Sequence, residues 1–120
     1  MIKKIVIGGC RTFTDYDVLR EYLDSILINI REEFNLIIIS GNCQGVDRMA
    51  EKYAKENGYG LELFPADWEK YGRSAGPRRN KEMVIRSDYV IAFWDYKSAG
   101  TKSLIQYAKL YNKPLRIKKI

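Results

Sequence analysis

Residues 37–47, Ile37-Ile38-Ile39-Ser40-Gly41-Asn42-Cys43-Gln44-Gly45-Val46-Asp47, hold the pattern that decides the fold. An apolar run stops at a Ser-Gly, a short loop with a second glycine follows, and an amphipathic pattern begins at Asp47. This order predicts a buried strand that leads into a helix through a loop whose backbone amides can approach an anion. Gly41 and Gly45 suit such a loop because they lack a Cβ, and Asp47 can bond free amides or a ligand hydroxyl. The loop matches neither common glycine-rich phosphate motif, so by itself it also fits an ordinary strand-to-helix turn.

The same alternation of apolar strand and amphipathic helix recurs along the whole chain. Five strands are predicted, at residues 4–7, 37–39, 61–64, 89–94 and 115–117. A helix is predicted between most successive strands, because apolar residues there recur at helical spacing. Strict alternation predicts a parallel sheet with right-handed crossovers and therefore an α/β fold.

Three local features refine this pattern. Thr14 followed by Asp17 is typical of a capping box at the start of the first helix. Residues 66–76 are predicted to form a loop, whose length is usual for a functional loop that lacks regular structure. Pro77 is expected in the first turn of the helix that follows, where proline is well tolerated.

Composition limits the classes of protein to consider. The chain has 120 residues, of which 46% are apolar and 30% charged, which predicts one globular domain over residues 1–120. No apolar run approaches the ~20 residues that span a bilayer. Residues 1–4 lead directly into a strand, so we expect a cytoplasmic location without a membrane. Two cysteines without histidine argue against a zinc site or a disulfide framework, and we expect neither a metal nor a cofactor.

The formal net charge of +6 suits an anionic partner. The sequence contains no basic run of five or more residues and none of the usual nucleic-acid-binding motifs. We therefore favour a phosphate-bearing small molecule over nucleic acid.

Polar side chains follow the predicted strands at their carboxyl ends, where open parallel sheets bind ligands. Arg11 can clamp a phosphate or lie solvated at the surface. Ser40 and Thr101 can each donate a hydroxyl to a phosphate or serve as structural caps, and Lys102 adds charge beside Thr101. Asp47 can accept a ligand hydroxyl. These residues predict a ligand site at one edge of the sheet.

The segment before the third predicted helix offers further candidates. Asp67 can accept a bond from a ribose or base edge, and Trp68 beside it can stack on a base or anchor the loop in the core. Arg78 and Arg79 lie in a first helical turn, where positive charge meets the helix dipole unfavourably unless an anion is bound.

These residues together resemble the SLOG superfamily, in particular its YspA-like (DUF2493) branch, which is related to the lysine-decarboxylase-like LOG proteins. The similarity runs from Ile5 to Leu115. It is carried by Gly8-Gly9-Cys10-Arg11-Thr12-Phe13, by Ser40-Gly41-x-x-x-Gly45-Val46-Asp47, by residues 64–83 with Pro65-Ala66-Asp67-Trp68 and Arg79-Asn80, by residues 87–93, and by Gly100-Thr101.

The resemblance implies a single Rossmann-like domain whose mostly parallel five-stranded sheet carries helices on both faces. It also implies a nucleotide-derived ligand, with phosphate on the glycine loops, and a homo-oligomer such as a dimer or tetramer. The LOG catalytic motif P-G-G-x-G-T-x-x-E is altered, because the glycine pair is absent and Leu104 stands where the glutamate would be. Asn80 likewise stands in place of a LOG lysine.

We therefore expect a protein that binds a nucleotide-derived molecule, such as an ADP-ribose-like or cyclic nucleotide signal, as a sensor or a sequestering protein in phage–bacteria conflict. The predicted ligand-binding residues are Gly9, Arg11, Thr12, Phe13, Ser40, Gly41, Gly45, Asp47, Asp67, Trp68, Arg79, Asn80, Gly100, Thr101 and Lys102. The alternative is a phosphoribohydrolase or related N-glycosidase, for which Asp47, Asp67 and Asp95 are the candidate catalytic bases. A weaker third possibility is an accessory role in nucleic-acid processing.

Overall fold

Strands and helices alternate through the computed structural model, which describes residues Met1 to Ile120. The elements in chain order are β1 (Ile2–Gly9), α1 (Tyr16–Glu33), β2 (Asn35–Ser40), α2 (Val46–Glu56), β3 (Gly60–Leu63), α3 (Trp68–Tyr71), α4 (Ala75–Arg86), β4 (Tyr89–Trp94), α5 (Ala99–Leu110) and β5 (Leu115–Lys119).

The sheet has the strand order β3-β2-β1-β4-β5, and every neighbouring pair is parallel. The predicted α/β fold with a five-stranded sheet is confirmed, and the sheet is parallel throughout rather than mostly so. From central β1 the chain moves outward through β2 to β3, then crosses back to β4 on the other side. The loops after β1 and β4 therefore diverge and leave a crevice at the carboxyl edge, where such sheets bind ligands.

Two apolar clusters pack on opposite faces of the sheet. Because successive strand side chains alternate between faces, Ile5 and Ile7 of β1 join one cluster and Val6 joins the other. Leu23 of α1 and Tyr53 of α2 lie in the first cluster, while α4 and α5 contribute to the second. Helices therefore cover both faces, as predicted.

Two predictions from the sequence were wrong in detail. The cap of α1 is Asp15 rather than Thr14, because the Asp15 carboxylate accepts a bond from the Val18 amide at 3.2 Å. The predicted loop at residues 66–76 is largely helical, with α3, a 3-10 turn at Gly72–Ser74 and the first residues of α4. The Asp67 carboxylate caps α3 by accepting from the Lys70 amide at 3.1 Å, so these short helical turns follow from capping rather than from apolar periodicity.

None of the helices combines the length and the apolar character that a membrane crossing requires.

Candidate functional site

A cleft of about 430 Å³ opens at the carboxyl edge of the sheet, between the loops that follow β1 and β4. It thus occupies the crevice that the strand order creates. Its lining combines glycines, charged side chains and a few apolar ones: Gly8, Gly9, Cys10, Arg11, Thr12, Cys43, Asp47, Arg79, Asn80, Met83, Asp95, Lys97, Ser98, Gly100, Thr101 and Leu104.

Backbone contacts hold the β1–α1 loop against its neighbours. The Cys10 amide donates to the Phe93 carbonyl of β4 at 3.2 Å, and the Val46 amide at the start of α2 donates to the Cys10 carbonyl at 3.2 Å. Gly45 makes this approach possible, because a Cβ at that position would lie 2.4 Å from the Cys10 oxygen. Backbone bonds therefore join the β1–α1 loop, the start of α2 and the end of β4 next to the cleft.

Replacing Gly45 by alanine is expected to destabilise the fold more than the same change at Gly72. The two glycines have similar backbone angles, with φ 77° and ψ −127° at Gly45 and φ 56° and ψ −133° at Gly72. Each alanine costs about 1–3 kcal/mol of backbone strain. Only at Gly45 does the Cβ also meet backbone atoms, whereas nothing lies within 4 Å at Gly72. Urea unfolding of both variants measures the difference, and equal losses would contradict the close approach at Gly45.

Two guanidinium groups converge on one side of the cleft. Arg11 Nη2 lies 3.8 Å from Cys43 Sγ, and both terminal nitrogens of Arg79 lie 3.7 Å from the same sulfur. Arg79 is held there because its Nη1 donates to the Gly41 carbonyl at 2.5 Å and to the Phe64 carbonyl at 3.4 Å. Two like charges around one thiol, each with free donors, are suited to an anion.

Asp47 lies at the base of this pair of arginines. It is 6% exposed, and its Oδ2 accepts a bond from the Cys43 amide at 3.2 Å. Burial raises the pKa of Asp47 from 3.8 to about 6, although the Cys43 amide and the Arg79 guanidinium oppose this rise. A carboxyl with a pKa raised this far is unusual, and such shifts cluster at functional sites.

The β4–α5 loop forms the opposite side of the cleft. The Asp95 carboxylate accepts bonds from the Lys97 and Ser98 amides at 2.8 Å, and these bonds lower the pKa of Asp95. Ser98 caps α5 by accepting from the Thr101 amide at 3.5 Å. The Thr101 hydroxyl also lies 3.2 Å from the Ser98 hydroxyl. The start of α5, with its positive dipole end, thus opens into the cleft.

Asn80 joins this loop to α4. Its Nδ2 donates to the Gly100 carbonyl at 3.2 Å, and its Oδ1 accepts from Arg79 Nε at 3.0 Å. The side chain is buried, and it fixes both the α5 start and the arginine beside it.

The structure brings more than half of the predicted site residues into this cleft. They are Gly9, Arg11, Thr12, Asp47, Arg79, Asn80, Gly100 and Thr101 from the ligand-binding set, with Asp95 from the catalytic candidates.

The remaining predicted residues lie outside the lining. Ser40 is buried, and its hydroxyl donates to Glu51 Oε2 at 2.7 Å, which favours the structural alternative for this residue. Phe13 stacks on Phe93 with ring centroids 6.3 Å apart. Lys102 is exposed on α5.

Gly41, Gly45, Asp67 and Trp68 also lie outside the lining. A Cβ on Gly41 would be 2.6 Å from Arg79 Nη1 and 2.8 Å from Asp47 Oδ2, and a Cβ on Gly45 would meet the backbone of Cys10 and Arg11, so both glycines lie against residues of the lining. Asp67 caps α3, and the Trp68 ring lies over Gly76 and is half exposed. Neither residue lines the cleft, but Asp67 lines a neighbouring pocket that shares Arg79 with it, so the predicted ribose acceptor and stacking face lie beside the cleft rather than in its lining.

Several lining residues were not singled out as ligand contacts from the sequence. The two glycine-bearing loops were predicted to bind the ligand, but three of their side chains were not: Cys43, Lys97 and Ser98. Met83 and Leu104 lie at apolar helix positions that predict core residues, and in the structure they do belong to the core while also contributing to the lining.

Comparison with known proteins identifies the family of this chain. Residues 3–71 match the family described as YspA, cpYpsA-related SLOG family. The chain belongs to this SLOG family. It is also 31% identical over 114 residues to the Gene 61 protein of Mycobacterium phage D29, with 90% of each chain covered. The resemblance inferred from the motifs is therefore confirmed.

Solved structures show that the SLOG chain shares its fold with larger proteins. DNA processing protein A from Streptococcus pneumoniae superposes with a TM-score of 0.74 at 16% identity, covering 97% of this chain and 50% of that one. The Moco carrier protein of Chlamydomonas rheinhardtii gives a TM-score of 0.62 at 19% identity, covering 98% of this chain and 76% of that one. At these identities the similarity establishes the fold alone.

Proposed function

We propose that this SLOG-family protein binds a nucleotide-derived small molecule in the cleft, as a sensor or a sequestering protein. The observation that carries the proposal is the set of three cationic side chains around the cleft, Arg11, Arg79 and Lys97. None of them takes part in an ion pair within 4.0 Å, because the four ion pairs of the chain lie elsewhere. Cationic side chains that form no ion pair within 4.0 Å favour a phosphate-bearing ligand in a concave site.

The cleft also supplies the other contacts that a nucleotide needs. Ser98 and Thr101 provide hydroxyls at the start of α5, where the helix dipole favours an anion. Asp47 is the lining carboxylate closest to the arginines, and in the proposal it accepts a ribose hydroxyl. Met83 and Leu104 are the apolar residues of the lining, although both belong to the buried core and expose only 2% and 3% of their surface.

The similarity to a phage protein is consistent with a sequestering role, in which the protein would remove a signalling nucleotide from solution. This role requires tight binding. A dissociation constant far above the cellular concentration of the signal would exclude sequestration.

The second candidate function is hydrolysis of an N-glycosidic bond, and Asp47 is the observation that favours it. A carboxyl that lines the cleft with a pKa of about 6 matches what general acid–base catalysis at neutral pH demands. In this alternative Asp47 would take a proton from the water that attacks the anomeric carbon while the arginines hold the phosphate. The bond from that carbon to the base nitrogen would break, and the departing base would take up a proton from Asp47 or from solvent.

A thermal-shift panel tests the binding proposal. Nucleosides, nucleoside monophosphates, nucleoside diphosphates, ADP-ribose-type compounds and cyclic nucleotides are each added to the purified protein at low and high salt. We expect phosphate-bearing compounds to raise Tm and their parent nucleosides to have little effect, since a ligand at about 100 times its Kd adds about 2.7 kcal/mol. Stabilisation by nucleosides and nucleotides alike would contradict a phosphate-centred site, and a single-stranded oligonucleotide in the panel tests the DNA alternative.

A further inference from the structure

Lys97 reaches the cleft from a different direction than the two arginines. Arg11 follows β1 and contacts Cys43, which follows β2, whereas Lys97 follows β4 on the other side of β1. Neighbouring strands are about 4.8 Å apart, so the ends of β2 and β4 are separated by about 10 Å. The cleft thus has two cationic positions, one at the arginine pair and one at Lys97 beside the α5 start.

The loop that carries Lys97 has an unusual backbone conformation that side-chain contacts hold in place. Tyr96 has φ 64°, a left-handed backbone that large side chains rarely adopt. Its ring stacks on Trp94 with centroids 4.3 Å apart. Trp94 Nε1 donates to the Ser98 carbonyl at 3.0 Å, and Asp95 accepts from the Lys97 amide. Such strained positions persist only where the surroundings enforce them, and here they bring Lys97 to the cleft lining.

The carboxylates of the cleft do not neutralise Lys97. Asp95 accepts from two backbone amides of its own loop, and Asp47 accepts from the Cys43 amide on the far side. The ammonium group forms no ion pair within 4.0 Å. It is therefore available to a second anionic group of the ligand.

We propose that Lys97 is a specificity-determining residue that makes the cleft select ligands with two linked phosphoryl groups over ligands with one. The proposal rests on the proposed nucleotide-binding function and specifies its ligand class as nucleoside diphosphates and their derivatives. The arginine pair holds one phosphoryl group, and Lys97 with the start of α5 holds the other. The loop has the sequence Tyr96-Lys97-Ser98-Ala99, so this contact is a property of this chain rather than of a glycine-rich loop.

The test compares AMP with ADP on the parent protein, on Lys97→Met and on Lys102→Met. Lys102 is the matched control because it is an exposed lysine five positions further along that does not line the cleft. Kd is measured by calorimetry for each pair. One charge-assisted contact corresponds to a change in affinity of about 10- to 100-fold. We expect the parent to prefer ADP by at least about tenfold, Lys97→Met to lose most of that preference with AMP binding nearly kept, and Lys102→Met to behave as the parent.

Each other result has a definite meaning. An ADP preference that survives in Lys97→Met, or an equal loss of AMP and ADP affinity, overturns the role of Lys97 and leaves nucleotide binding standing. A parent protein that binds AMP and ADP equally overturns the diphosphate class. A parent protein that binds neither AMP, ADP nor any nucleotide of the panel overturns the proposed function itself. Lys97 is exposed, so we expect Lys97→Met to have the same Tm as the parent protein without ligand. A difference in Kd between the two proteins then reports on binding rather than on folding.

Discussion

Arg79→Met is expected to weaken nucleotide binding by about 10- to 100-fold, whereas Arg78→Met leaves it within about twofold. A charge-assisted contact contributes about 1.5–3 kcal/mol, which corresponds to that range for the loss of one guanidinium. The two arginines are adjacent on α4, but only Arg79 lines the cleft. Arg78 lies over the Tyr71 ring at 4.4 Å and donates to the Ser74 hydroxyl on an exposed surface.

Arg79 also has a structural contribution that the experiment must separate from binding. Its removal leaves the Gly41 carbonyl without its 2.5 Å donor, and we expect a loss of about 1–3 kcal/mol in the free energy of unfolding. Arg79→Lys keeps the charge but not the forked donor geometry, so it should recover part of the affinity. Affinity is measured by calorimetry and stability by urea unfolding. Equal effects of Arg78→Met and Arg79→Met on binding would contradict the placement of phosphate at Arg79.

Asp47→Asn is expected to stabilise the ligand-free protein by about 3 kcal/mol at pH 7. The pKa of Asp47 rises from 3.8 to about 6 on folding, and one pKa unit corresponds to about 1.4 kcal/mol. The folded state therefore holds a proton that the unfolded state releases between pH 4 and 6, and the parent loses stability as pH rises through that window. Asparagine keeps an oxygen that can accept from the Cys43 amide and carries no charge, so it avoids this loss.

The measurement is urea unfolding of the parent and of Asp47→Asn between pH 4 and pH 7.5. The difference between them should be near zero at pH 4 and reach its full value above pH 6. Taking the difference removes the contribution of other carboxyls, such as Asp95, whose pKa is lowered and whose effect has the opposite sign. A variant that is less stable than the parent at pH 7 would show that the charged carboxylate is favourable in the fold.

The same variant separates the two candidate functions. If the protein only binds its ligand, Asp47→Asn lowers the affinity modestly, because only one hydrogen bond to a ligand hydroxyl is weakened. If Asp47 is a catalytic base, the variant retains binding and loses turnover.

Sequence patterns predicted the fold well because strand and helix periods are properties of many residues at once. The short apolar runs at residues 37–39 and 89–94 alternate with amphipathic helices, which favours buried parallel strands whose following loops meet at one edge. The short helix α3 escaped prediction because four residues carry no periodic signal. Its start depends on a single carboxylate, that of Asp67.

The site was predicted less completely, because a sequence predicts where loops lie more reliably than it predicts the direction in which a side chain points. Residue type and helix position do not separate Arg78 from Arg79, so Arg79 was predicted from its match to the family motif, and the turn of α4 places it in the cleft. Ser40 ends a strand beside the site, but its hydroxyl is directed to buried Glu51. The position of Lys97 depends on the left-handed backbone conformation of Tyr96, and no pattern of residue types in the sequence predicts that conformation.

The central claim is that the cleft binds a nucleotide-derived molecule without consuming it, and one incubation tests it most directly. Purified protein is mixed with a nucleotide panel, the bound and free pools are separated, the protein is denatured, and both pools are analysed by chromatography with mass detection. We predict that one phosphate-bearing compound is depleted from the free pool and recovered intact after denaturation. Recovery of a free base with a sugar phosphate would contradict the claim and identify an N-glycosidase.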